Sequence, residues 1–87
     1  MSVYIDRIRD WGWQHGPSCH LIADTLDELH AFAKQIGLRR SWFQDARAGP
    51  HYDLTVAKRN VAVVFGAIEV TDHQFITLLK RLRESVP

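Results

Sequence analysis

The chain has 87 residues, 46% of them hydrophobic and 24% charged, and a formal net charge of +1. At roughly 100–200 residues per domain, this length is expected to give one domain over residues 1–87 with no room for a second catalytic domain, and the composition excludes a disordered polymer. Size scaling buries about 64% of the extended chain's surface, which leaves only a thin core.

In chain order, Val3-Tyr4-Ile5 is a short apolar run stopped by Asp6, and Cys19 to Ala23 is another stopped by Asp24; both are predicted as buried strands. Between them, Arg7 to Ser18 holds Gly12, Gly16 and Pro17 with Trp11 and Trp13, a loop with aromatic anchors. From Thr25 the period becomes helical. Leu26, Leu29, Ala33 and Ile36 form one stripe, Thr25 and Glu28 a capping box, and Gly37 the left-handed stop. Arg39 to Tyr52 is polar and aromatic, punctuated by Gly49-Pro50, and reads as a long connection of the kind that carries function. Asp53 is placed as the cap of a helix from Leu54 to Phe65, with a strand over Val61–Phe65 as the alternative. Ile68-Glu69-Val70 is a short strand, and Thr71 to Gln74 a second capping box opening a terminal helix through Leu82. The predicted fold is thus a small α/β unit of about three short strands, at least one parallel pair, and three helices.

One cysteine, Cys19, precludes an internal disulfide, no leader-like segment opens the chain, and no apolar run approaches the ~20 residues of a membrane helix. The expectation is a cytoplasmic protein without a membrane partner. Residues 39–59 carry a net +3, which favours phosphorylated or acidic ligands or is an ordinary solvated segment.

Five histidines and three tryptophans are many for this length. His51 and Asp53 lie two residues apart, so in an extended segment both point to one side and can share a metal, a water or a phosphate. In the bland alternative Asp53 caps a helix and His51 bonds the loop. His20 lies in an apolar strand, either as a satisfied core histidine or, with His51 and Asp53, as a metal ligand. Asp6 ends a strand with no capping role and, with His51 and Asp53, is a candidate acid-base group. Asp24 either starts the helix turn or joins a site. His30 is a boundary residue, His15 and His73 are solvated, and Cys19 is a buried thiol facing away from His20. Arg40, Trp42, Gln44, His51, Lys58 and Arg59 are the candidate ligand-binding set, the aromatic ring for a base and the cations for phosphate; in the alternative, Trp42 and Phe43 fasten the long loop to the core and Lys58 and Arg59 lie on a solvated face. No Gly-x-Gly-x-x-Gly, P-loop or Gly-x-Ser-x-Gly motif is present, which removes the usual support for dinucleotide, NTPase and α/β-hydrolase readings.

The blocks Cys19–Thr25, Glu28-Leu29-His30, Trp42-Phe43-Gln44, His51-Tyr52-Asp53, Lys58-Arg59 and Gly66–Thr71, with Asp6 after its strand, resemble the bacterial and phage family named domain of unknown function 4031. Some members of that family resemble proteins with an added HD-type domain, whose relatives include phosphohydrolases. The resemblance implies a free-standing module with a slight leaning towards nucleotides. Three readings follow: a ligand-binding module for a nucleotide or other phosphorylated or anionic molecule, including single-stranded nucleic acid; a non-catalytic interaction module, such as a homodimer; and a small phosphohydrolase or nuclease assisted by a divalent metal or by acid-base groups.

Overall fold

The computed structural model describes residues 2–86. Its elements are β1 (Val3–Ile5), β2 (Ser18–Ala23), α1 (Leu26–Gln35), a 3₁₀ turn (Arg40–Trp42), β3 (Gln44–Ala46), β4 (Gly49–Thr55), α2 (Val56–Val64), β5 (Ile68–Glu69) and α3 (Asp72–Ser85). The strands form one mixed sheet in the order β3-β4-β2-β1-β5. β1 and β5 are the expected parallel pair, while β1–β2, β2–β4 and β3–β4 are antiparallel. The architecture is α/β with three helices, as expected, but five strands rather than three.

Both additional strands come from the segment expected to be a loop and a helix start. Asp53 does not cap a helix; it lies inside β4, directly opposite His20 of β2. The cap is Thr55, whose hydroxyl accepts from the Lys58 amide, so α2 begins at Val56 rather than Leu54. Pro50 fits this strand because the pairing to β2 begins only at Tyr52, and a residue lacking an N–H is tolerated outside an interior ladder. Within Arg7–Ser18, Arg9 and Ser18 exchange two backbone hydrogen bonds of 2.9 Å, which pin the loop where it enters β2.

The two expected capping residues hold. Thr25 accepts from the Glu28 amide, and Thr71 and Gln74 complete a reciprocal box at α3. At the end of α1, Gly37 takes φ +86°, and the Leu38 and Gly37 amides reach back to Ala33 and Lys34. That paired return is a Schellman motif, and Ala67 to Ala62 with Gly66 to Val63 repeats it after α2.

Alternation along the strands sorts the sheet's two faces. Cys19, Leu21, Tyr52 and Leu54 share one face, where the α1 residue His30 meets the Tyr52 hydroxyl at 2.8 Å and the α2 residue Arg59 lies beside Cys19. Leu21, Leu29 and Leu54 are fully buried, each contributing about 1.5–3 kcal/mol by burial. On the opposite face are Ser18, His20, Ile22, His51 and Asp53, and α3 packs there with the Phe75 ring 5.9 Å from that of His20. A single helix covers that face, so its polar end remains accessible.

Candidate metal centre

Strand pairing assembles the site from three places in the chain. β2 runs antiparallel to both neighbours, so β1 ends opposite Leu21, which leaves the following Asp6 beside His20, and the C-terminal end of β4 meets the N-terminal half of β2. Asp6 follows β1, His20 lies near the start of β2, and His51 and Asp53 lie on β4, two residues apart and on one face as their spacing implied. One ligand atom each from His20, His51 and Asp53 falls within 4.8 Å of the other two. His51 Nε2 is 3.4 Å and His20 Nε2 3.7 Å from the same carboxylate oxygen, Asp53 Oδ1. Donors bonded at about 2.1 Å in a tetrahedral site stand roughly 3.4 Å apart, so small side-chain adjustments would close this set around an ion.

The opposite nitrogens of both rings are already committed. Asp6 accepts from His20 twice, from the backbone amide at 2.7 Å and from Nδ1 at 2.9 Å. His51 Nδ1 donates to the Gly49 carbonyl at 3.0 Å. With each Nδ1 donating to an acceptor behind it, Nε2 is the nitrogen that each ring turns towards Asp53. A carboxylate or carbonyl behind each imidazole fixes tautomer and ring orientation in metal sites and raises ligand basicity. Gln44 does the same for the third donor, its amide nitrogen hydrogen-bonding Asp53 Oδ2 and leaving Oδ1 to the imidazoles.

Without an ion, a protonated His51 and the Asp53 carboxylate pair through the same Nε2, the proton standing where an ion would bind. Burial works against a charged His51, but the Asp53 carboxylate and the Gly49 carbonyl outweigh it and hold the pKa above its usual value. Asp53 is held below the usual carboxylate range, chiefly by the His51 hydrogen bond, with burial opposing and Gln44 assisting. Burial pushes the Cys19 thiol up to about 12, in keeping with an inert core residue on the other face.

Two clefts open beside the donor set. His20 and His51 line one of about 220 Å³, walled by Asp6, Arg9, Trp11, Asp72, Phe75 and Leu79. Asp53 and Gln44 line the other, of about 510 Å³, with Trp13, His15, Leu38, Trp42, Thr55 and Lys58. The structure therefore brings together Asp6, His20, Gln44, His51 and Asp53, with Trp42 and Lys58 at the edge. Arg40 and Arg59 line neither cleft. Arg40 lies over the Phe43 ring at 4.8 Å, and Arg59 donates to the Asp6 carbonyl and pairs with Glu69 at 2.9 Å. Asp24 accepts from Ser2 and Tyr4 at the far end of the strands, and His30 is the boundary residue expected, bonded to Tyr52.

Sequence reasoning overlooked Arg9, Asp72, Trp11 and Trp13. Asp72 was read only as part of a capping box, yet it pairs with both Arg7 and Arg9 across the first cleft. The two tryptophans are not core anchors, being 53% and 36% exposed. Their spacing in a glycine-containing loop was the available signal, since indoles that a thin core does not bury are free to face a ligand.

The protein is an α/β fold in which two histidines, each backed by a second partner, and one carboxylate stand close enough to hold a metal ion. The chain belongs to the family described as Protein of unknown function (DUF4031), whose family model matches residues 3–82. No curated protein and no solved structure matches it. Among the described residues, no helix is long and apolar enough to cross a membrane.

Proposed function

We propose that this chain binds one divalent first-row transition ion through His20 Nε2, His51 Nε2 and Asp53 Oδ1, and that the ion's remaining positions hold a small anionic, phosphorylated ligand. The observation that supports this reading is the convergence of two imidazole Nε2 atoms on one carboxylate oxygen, with both Nδ1 atoms anchored behind. Nitrogen and oxygen donors suit zinc, iron, cobalt or manganese better than calcium or magnesium, which prefer all-oxygen shells. Three protein ligands leave the ion open to exogenous groups. The ligand-binding reading is favoured over hydrolysis because the nearby carboxylates are engaged. Asp6 holds His20, and Asp72 holds Arg7 and Arg9. Neither is free to act as a general base.

The test is a calorimetric titration of chelator-treated protein with Zn²⁺ and Co²⁺, followed by inorganic phosphate. One ion per chain is expected, with phosphate binding to the loaded protein only. His51→Ala and Asp53→Ala should abolish ion binding, whereas His73→Ala, at an exposed histidine of α3, should not. Saturable binding that survives both site variants would overturn the proposal.

A further inference from the structure

The larger cleft is built differently from the smaller one. Its lining includes two indoles, Trp13 from the β1–β2 loop and Trp42 from the 3₁₀ turn, together with Asp53 of the proposed donor set. Trp42 is 50% exposed and Trp13 36%, although the core is thin and apolar bulk is scarce. The His15 ring meets Trp13 edge-on at 4.5 Å between centroids, and the Arg39 guanidinium lies over Trp42 at 5.7 Å. Both rings are thus propped in place by polar neighbours rather than drawn into the core.

Hydrogen-bonding capacity is spare beside them. The Gln44 amide nitrogen spends one bond on Asp53, leaving its carbonyl oxygen and second N–H available to a ligand edge. The Lys58 ammonium donates once, to the Ile36 carbonyl at 2.7 Å, and keeps two further protons. At about 510 Å³ the cleft falls within the roughly 300–1,000 Å³ of sites that enclose a small organic ligand. Flat aromatic walls, an amide that can read a ring edge, and a cation with a metal position for an anion describe one ligand chemistry. That chemistry is a planar heterocycle carrying a phosphate.

We infer that the ligand is a nucleotide, its base held against Trp13 and Trp42, its ring edge met by Gln44, and its phosphate shared by the ion at Asp53 and the Lys58 ammonium. This deepens the metal-site proposal and rests on it. A free mononucleotide and one nucleotide unit of a single strand offer the same chemistry.

The experiment uses the full chain loaded with Zn²⁺, titrated separately with adenosine 5′-monophosphate, adenosine, ribose 5-phosphate and a short single-stranded oligoadenylate. Tryptophan fluorescence and calorimetry are the readouts. The monophosphate should bind at least tenfold more tightly than adenosine or ribose 5-phosphate, quench the indole emission, and weaken at least tenfold when the ion is chelated. Trp42→Ala should lower its affinity about tenfold with ion affinity unchanged, and Trp42→Phe should restore most of the loss. Because Trp42 is half exposed, both variants should fold, which circular dichroism verifies. A comparable dependence on Trp42 for the oligonucleotide, with tighter binding than the monophosphate, would identify the strand as the source; tighter monophosphate binding would identify the free nucleotide. Equal affinities for the monophosphate and ribose 5-phosphate, or indifference to both Trp13→Ala and Trp42→Ala, would overturn the inference. So would nucleotide binding undiminished by chelation. Failure of the metal-site proposal is read separately, in the titration with Zn²⁺ alone.

Discussion

Replacing Asp6 with asparagine tests the site without touching any of its three proposed ligands. Asp6 is buried, and its two carboxylate oxygens accept from the His20 amide at 2.7 Å and from His20 Nδ1 at 2.9 Å. Asparagine has the same shape but only one acceptor oxygen. If that oxygen keeps the backbone amide, the NH₂ group faces Nδ1, which can accept only by giving up its proton. The imidazole must then carry its proton on Nε2, the atom that should bind the ion. Loss of a carboxylate behind a metal-bound histidine lowers affinity by about 10–100-fold, or roughly 1.4–2.7 kcal/mol. Folding stability should fall by a similar amount, about 1.5–3 kcal/mol for one charged hydrogen bond removed. Calorimetry with Co²⁺ measures the affinity, and nitrogen NMR of the imidazoles reports the tautomer. An Asp6→Asn protein that binds Co²⁺ within twofold of the parent while its His20 proton stays on Nδ1 would refute the reasoning.

Two further outcomes follow from particular residues. Gly49 has φ +144°, and a β-carbon there would stand 2.5 Å from Leu79 Cδ1 and 3.3 Å from its carbonyl oxygen. Gly49→Ala should therefore destabilise the fold by about 1–3 kcal/mol in urea unfolding and, by displacing the carbonyl that holds His51, weaken ion binding as well. In chelator-treated protein, the raised His51 pKa stabilises the fold below the unfolded value of 6.5, and that gain is lost as pH rises through the folded value. The lowered Asp53 pKa stabilises above the unfolded value of 3.8, and that gain is lost as pH falls through the folded value. The melting-temperature difference between the parent and Asp53→Asn should accordingly be greatest between these two pH values and shrink on either side; a flat difference would show that the pair is not coupled.

Legibility in the sequence varied with the range of the interactions involved. α1 and α3 were readable because Thr25, Glu28, Thr71 and Gln74 act on their own backbone neighbours. β4 was not, because an aspartate ahead of Leu54 has the local chemistry of a helix cap, and only pairing with β2 and β3 makes that segment a strand. The alternation was present in His51 to Thr55, with Tyr52 and Leu54 buried and their neighbours half-buried, but Gly49-Pro50 masked it as a turn. The residues of the proposed donor set were nameable from spacing and strand position. What spacing could not supply was the commitment of each Nδ1, since the Gly49 carbonyl and the Asp6 carboxylate reach their partners through backbone geometry and sheet order. Arg40 and Arg59 show the converse, as positive charge in sequence says nothing about whether a carbonyl or a ring already occupies it.

The pairing of His20 with Asp53 is flanked on both sides by core pairs, Cys19 with Leu54 and Leu21 with Tyr52. Because strand side chains alternate, a slip of β4 by one residue would drive His51 and Asp53 into the apolar layer and turn Leu54 and Tyr52 out to water. The hydrophobic pairs therefore act as a ruler for the polar ones. The alignment of donors is enforced by residues that never touch a ligand, so a cavity cut at Leu54 would be felt as misplaced imidazoles on the opposite side of the sheet.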